Sequence, residues 1–157
     1  MRAATRLIKI LQQKKYTLAL AESVTCGLAA HQLSLVNGTS DVLQGGITCY
    51  SIEVKCSLLN VDNKLIEKHT PESQQVTDEL AKKLRRVIKA DIHAAITGLA
   101  NKGGSETKTK PVGTIFISVY YKRRLYRKRK VFRGTALVIH KKACEELYNF
   151  IVEIAGS

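Results

Sequence analysis

The stretch Thr17-Leu-Ala-Leu-Ala-Glu-Ser-Val-Thr-Cys-Gly27 decides the fold. Thr17 to Ala21 is short and nearly all apolar, the pattern of a strand buried on both faces of a sheet. Glu22 and Ser23 end the run, the chain turns, and an alanine-rich helix follows through Leu28, Ala29, Ala30 and Leu33 to about Leu35. Asn37-Gly38 breaks that helix. A buried strand turning directly into a helix is the repeating unit of an α/β fold.

Outward from this unit the same alternation continues. Residues 2–14 predict an amphipathic helix carrying Leu7, Ile8, Ile10 and Leu11. Leu43 to Tyr50 predicts a second strand, with Gly45 and Gly46 permitting close backbone approach. Ser51 caps a short helix that carries Glu53 and Lys55. Thr70-Pro71-Glu72 has the form of a helix start, and Val76, Leu80, Leu84 and Ile88 repeat at four-residue spacing behind it. Ile92 to Thr97 predicts a third strand ending in Thr97-Gly98, and a polar loop with Gly103 and Gly104 runs on to Pro111. Val112–Tyr121 and Leu125–Phe132 predict a hairpin around Lys122-Arg123-Arg124. A last helix over about 135–155 puts Ile139, Leu147, Phe150, Ile151 and Ile154 on one face. The expected architecture is a three-layer α/β/α sandwich with a mixed β-sheet, a single domain over residues 1–157.

Composition narrows the class. At 157 residues, 45% hydrophobic and 25% charged, the chain is long enough to bury a proper core. No apolar run approaches the ~18–20 residues that span a bilayer, so no membrane association is expected. Met1 to Lys15 holds no acid and two arginines, as transit peptides do, but its helical apolar spacing reads as a docked first helix of a cytoplasmic protein. Cys26, Cys49, Cys56 and Cys144 form no Cys-x-x-Cys pair and no zinc spacing with the four histidines, so no metal is expected. The net charge of +13 is concentrated, with eight cations and no acid over Lys122–Arg133. Such a run is either a solvated hairpin or a surface that attracts nucleic acid.

Ligands of open α/β sheets bind beyond the carboxyl ends of the strands. Glu22–Gly27, Tyr50–Lys55 and Thr97–Gly104 all lie there. Ser23 sits at a strand-to-helix turn, which suits either a turn serine or a nucleophile with main-chain N–H groups beside it. No His/Asp pair is spaced for a triad, and the available base is Lys55. At an ordinary pKa of ~10.4, only about one lysine in 2,500 is neutral at pH 7. Bringing it to ~7–8 takes about 4 kcal/mol of desolvation and neighbouring positive charge. Cys26 is a rival nucleophile at the first turn of a helix. His31 and His140 fall on helix faces and His93 inside a strand, none with an evident partner.

Five ordered segments together resemble the C-terminal domain family of competence-damage-inducible protein A (CinA). They are Leu20-Ala-Glu-Ser-Val-Thr-Cys-Gly27, Gly45-Gly-Ile-Thr-Cys-Tyr-Ser51 with Lys55, Leu58-Leu59-x-Val61, Thr97-Gly98-Leu-Ala100 with Gly103-Gly104, and Lys110-Pro-Val-Gly-Thr114. The family includes stand-alone nicotinamide-nucleotide amidases, and larger members carry a further N-terminal domain. The resemblance implies hydrolysis of nicotinamide mononucleotide to nicotinic acid mononucleotide and ammonia, with no cofactor and no metal. Ser23 would attack the carboxamide, Lys55 would take its proton, and Tyr50 would orient the lysine or relay a proton. Thr25, Cys26 and Gly27 would bind the oxyanion or phosphate through their N–H groups. Gly46, Thr97, Gly98, Gly103 and Gly104 would line the nucleotide. A homodimer is the expected assembly.

Four positions depart from the family pattern. Cys26 replaces a glycine, Ile52 an asparagine, and the Asn101-Lys102 loop lacks a proline. Gly134-Thr135-Ala136 stands where an arginine is usual, with Arg133 and His140 as nearby substitutes. These departures motivate an alternative: a silent family member that binds a nucleotide without turnover, with nucleic-acid contacts through 122–133.

Overall fold

The computed structural model describes residues 2–156, so Met1 and Ser157 of the expected 1–157 domain lie outside the described residues. Five strands form one mixed sheet: β1 (Leu18–Glu22), β2 (Leu43–Thr48), β3 (Ile92–Gly98), β4 (Thr114–Tyr121) and β5 (Arg124–Val131), in the order β2-β1-β3-β4-β5. β1 runs parallel to both β2 and β3, whereas β4 runs antiparallel to both of its neighbours, β3 and β5. Side-chain alternation then sorts two cores. Leu18, Leu20, Ile92, Ala94, Ile96, Ile115, Ile117 and Val119 face the helices α1 (Arg2–Lys14) and α6 (Ala136–Gly156). Ala19, Ala21 and Ala95 face the other way. Their small side chains let α5 (Gln74–Leu84) pack close through Val76, Leu80 and Leu84. The three-layer mixed sandwich expected from the sequence is therefore the observed fold.

Parallel pairing puts the carboxyl ends of β1, β2 and β3 at one edge. Glu22 is in register with both Thr48 and Ile96. Out of this edge emerge the turn into α2 (Leu28–Ser34), the connection Cys49-Tyr50 into α3 (Ile52–Ser57), and the loop after Gly98. Gly98 is required by contact: a Cβ there would sit 2.5 Å from the Thr114 carbonyl oxygen.

Two local expectations are corrected. Thr70-Pro71-Glu72 does not start the helix. Thr70, at φ 69°, closes a short α4 (Asn63–His69) that has no counterpart among the predicted elements, and Ser73 caps α5 by accepting from the Val76 N–H. The hairpin turn is two residues, not three: Lys122 and Arg123 both adopt positive φ, the primed geometry that matches strand twist. No described helix is long and apolar enough to cross a membrane.

Candidate active site

Ser23 follows β1 directly, its N–H tied to the Ile96 carbonyl of β3 at 3.0 Å. The neighbouring parallel strand β2 delivers Cys49 and Tyr50 beside it, and Ser51 caps α3 so that Lys55 points back toward β1. The result is a lysine that is only 1% exposed. Its Nζ donates to the Cys49 carbonyl at 2.7 Å and the Tyr50 carbonyl at 2.9 Å, and lies 3.1 Å from Ser23 Oγ. Among the described residues no carboxylate pairs with it. Burial holds its pKa below the ordinary lysine value, opposed in part by its electrostatic interactions with Cys49, Glu72 and Cys56. That is the direction a general base needs.

A cleft of about 240 Å³ opens over Ser23. Val24, Tyr50, Gly98, Gly103 and Gly104 line it, together with Lys102, with His140, one of the two nearby substitutes for the arginine, and with Glu72, which the motifs alone do not single out. His140 projects from the start of α6, so the helix that lacks the usual arginine still presents a basic side chain to the cleft. Arg133 does not line it. Tyr50 meets the lysine through its main-chain carbonyl, and the residue, 68% exposed, lines the cleft.

The turn 23–27 holds a second correction. Glu22, which is 1% exposed, folds its carboxylate under the turn. There it accepts from Thr25 Oγ1 (2.6 Å) and from the N–H groups of Gly27, Ala29 and Ala30 (3.1, 3.0 and 2.8 Å). The Cys26 N–H is bound to the Ser23 carbonyl. Hence the Cys26 and Gly27 donors expected to receive an oxyanion or phosphate are already filled, and an internal carboxylate occupies the start of α2. Cys26 is exposed and takes φ 50°, followed by Gly27 at φ 92°. The cysteine thus preserves the left-handed turn despite its Cβ. Thr25 and Thr97 are buried, the latter bonded to Thr77 Oγ1 beneath the sheet, and Gly46 packs on Ala30 of α2. None of these three lines the cleft.

The loop that forms the far wall is clipped in place. Lys110 Nζ donates to Thr70 Oγ1 (2.6 Å), the Glu72 carbonyl (3.0 Å) and Ser105 Oγ (2.7 Å), and Ser105 donates to the Glu72 carboxylate (2.5 Å). Among the described residues no cluster of three His, Cys, Asp or Glu side chains converges as a metal site would.

Known proteins are similar to this chain over most of its length. The CinA C-terminal domain family model matches residues 1–155. A CinA-like protein of Pseudothermotoga lettingae is 40% identical over 113 residues, 72% of this chain and 28% of that protein. A putative competence-damage inducible protein of Clostridioides difficile is 34% identical over 141 residues, 90% of this chain and 34% of that protein. The chain thus spans about a third or less of the length of these relatives. A CinA superfamily protein of Klebsiella pneumoniae has the same fold, with a TM-score of 0.93 at 24% identity over 99% of this chain and 96% of that one. The chain belongs to the CinA C-terminal domain family.

Proposed function

We propose that this chain is an amidohydrolase acting on the carboxamide of nicotinamide mononucleotide in the cytoplasm. The observation that carries this reading is the 3.1 Å approach of the buried Lys55 amine to Ser23 Oγ. A neutral amine has two N–H donors and one lone pair. The Cys49 and Tyr50 carbonyls take both donors, which directs the lone pair at the serine hydroxyl.

In the proposed reaction Ser23 Oγ attacks the carboxamide carbon as Lys55 takes the hydroxyl proton. The C–N bond then breaks, the leaving nitrogen receives that proton from Lys55, and ammonia departs from an acyl-serine. Water, deprotonated by Lys55, attacks the ester. The C–O bond to Ser23 breaks, the serine recovers the proton, and the carboxylate product leaves. With the Gly27, Ala29 and Ala30 N–H groups held by Glu22, the oxyanion in this reading lies against the cleft wall at Val24. Lys102 and His140 supply cationic or hydrogen-bonding groups for the substrate's phosphate. The Tyr50 ring closes the rim, where it meets the leaving group.

Ammonia release from nicotinamide mononucleotide tests this directly. Wild type is expected to release it, and both Ser23→Ala and Lys55→Ala to abolish release. No release from wild type at high enzyme concentration defeats the proposal. One observation favours a second reading, a nucleotide-binding module without turnover: of the turn donors expected to hold the oxyanion, the Gly27 N–H is taken by Glu22 and the Cys26 N–H by the Ser23 carbonyl. Thermal stabilisation by the mononucleotide without ammonia release would select it.

A further inference from the structure

A concavity of about 570 Å³ lies at the end of the sheet opposite Ser23. Residues preceding β1 and β3, Tyr16 and Asp91, form its floor, and the β4–β5 turn forms one wall. Arg85, Arg86 and Lys89 approach from the segment after α5, and Lys122 and Arg123 from the turn. All five are exposed, and among the described residues none makes an ion pair. The one acid in the wall, Asp91, is engaged by the N–H and hydroxyl of Thr17 at 2.8 and 2.7 Å.

Further along β5 three cations of the same run are paired, while among the described residues Arg129 and Arg133 make no ion pair. Arg127 pairs with Asp78, Lys128 with Glu146 and Glu153, and Lys130 with Glu146. Lys122, Arg123 and Arg124 at the turn likewise make no ion pair among the described residues, and the first two face this concavity. The turn itself is costly to build from these residues. Both positions need positive φ, 47° and 63°, where Asn-Gly is the favoured pair, so two long cations there are not explained by the fold.

We infer that this concavity binds the phosphodiester backbone of a nucleic-acid strand, independently of base sequence. Its cations are spread over two opposed walls instead of converging on one point, which suits successive phosphates more than a single anion. Aromatic faces are not offered for base stacking. Arg85 covers the Tyr120 ring at 4.9 Å and bonds its hydroxyl, and Lys122 lies 5.0 Å from the Tyr121 ring. What remains open to a ligand is charge, and charge recognises backbone.

The test is fluorescence anisotropy with labelled oligothymidylate across a salt series. Wild type is expected to bind with an affinity that falls steeply as salt rises. The triple variant Arg86→Glu/Lys89→Glu/Arg123→Glu should bind at least about tenfold more weakly, with a salt slope shallower by about 0.7 for each phosphate no longer neutralised. The triple variant Arg2→Glu/Arg6→Glu/Lys9→Glu on α1 changes net charge equally and should retain binding. Should the first triple variant lose its circular dichroism spectrum, the glutamine versions of the same three positions carry the comparison. Absence of wild-type binding at low salt overturns the inference. So does unchanged binding in the reversed concavity, equal loss in the α1 control, or displacement of the strand by inorganic phosphate at matched ionic strength.

Discussion

The Lys55 amine stands 3.1 Å from the Ser23 hydroxyl, with its two other hydrogen-bonding directions filled by the carbonyls of Cys49 and Tyr50. The arrangement fixes which substitutions the site tolerates. Lys55→Arg keeps a cation but removes a base, because a guanidinium stays protonated at every working pH. It is expected to be as inactive as Lys55→Ala, with kcat/KM down by at least about 10²–10⁴ in either. Steady-state ammonia release by both variants checks this, and substantial activity in the arginine variant would remove Lys55 from the role of base.

The pH dependence has a defined sign. Burial lowers the folded-state pKa of Lys55, and in the proposed reaction the neutral amine is the active form, so kcat/KM should climb with pH through that lowered value and then level off. The unfolded chain holds this proton up to ~10.4. Between the folded and unfolded values the unfolded state binds more protons, so wild-type stability should rise with pH relative to Lys55→Met. Denaturant melts of the two proteins at pH 7 and pH 9 measure it, and parallel pH profiles would contradict it.

Glu22→Gln should be strongly destabilising. The buried carboxylate accepts from one hydroxyl and three N–H groups, and a glutamine replaces one acceptor oxygen with a donor facing other donors. A cost of about 2–3 kcal/mol is expected, from unsatisfied buried groups. For a domain of this size that corresponds to a melting temperature lower by about 4–12 °C. Thermal unfolding checks it, and a shift within about 1 °C would mean the turn finds other acceptors.

Much of this fold is legible because its signals are local. Thr17–Ala21 is apolar at nearly every position, and the alternation in β3 sorts Ile92, Ala94 and Ile96 from Ala95 and Thr97. That alternation also shows why Thr97 misses the cleft: it faces Thr77 of α5, on the side shared with Ala95. Ser51 announces α3 and hence the reach of Lys55. Glu22 is not legible in this way, since its partners exist only once the turn has folded over it. Along the chain it is simply an acid beside a candidate nucleophile. The real start of α5 is likewise masked, because Pro71 imitates a first helical residue while the capping bond is made by Ser73.

Cys26→Gly should stabilise the protein without loss of activity. Its φ of 50° costs an L-residue about 1–2 kcal/mol that glycine avoids, and part of the gain is returned through the entropy of the unfolded chain. The side chain is exposed, so no packing is lost. A melting temperature higher by about 2–4 °C is expected, equivalent to about 1 kcal/mol. A lower one would show that the thiol contributes contacts of its own.

Lys110→Met should raise KM with little change in kcat. Lys110 touches neither Ser23 nor Lys55, yet its three hydrogen bonds join the loop before β4 to Thr70, Glu72 and Ser105. Glu72 and the Gly98–Gly104 segment are two facing walls of the cleft, so loss of the clip lets them separate before substrate arrives. Burial already depresses the Lys110 pKa, and methionine keeps the length of the apolar stem while deleting all three donors. Each such bond is worth about 1 kcal/mol net, and diverting even one to ordering the loop weakens binding about fivefold. Because the Ser23–Lys55 contact is held by β1, β2 and α3, the chemical step should proceed at its former rate once substrate is bound. A fall in kcat at constant KM would instead place Lys110 in control of the reacting groups.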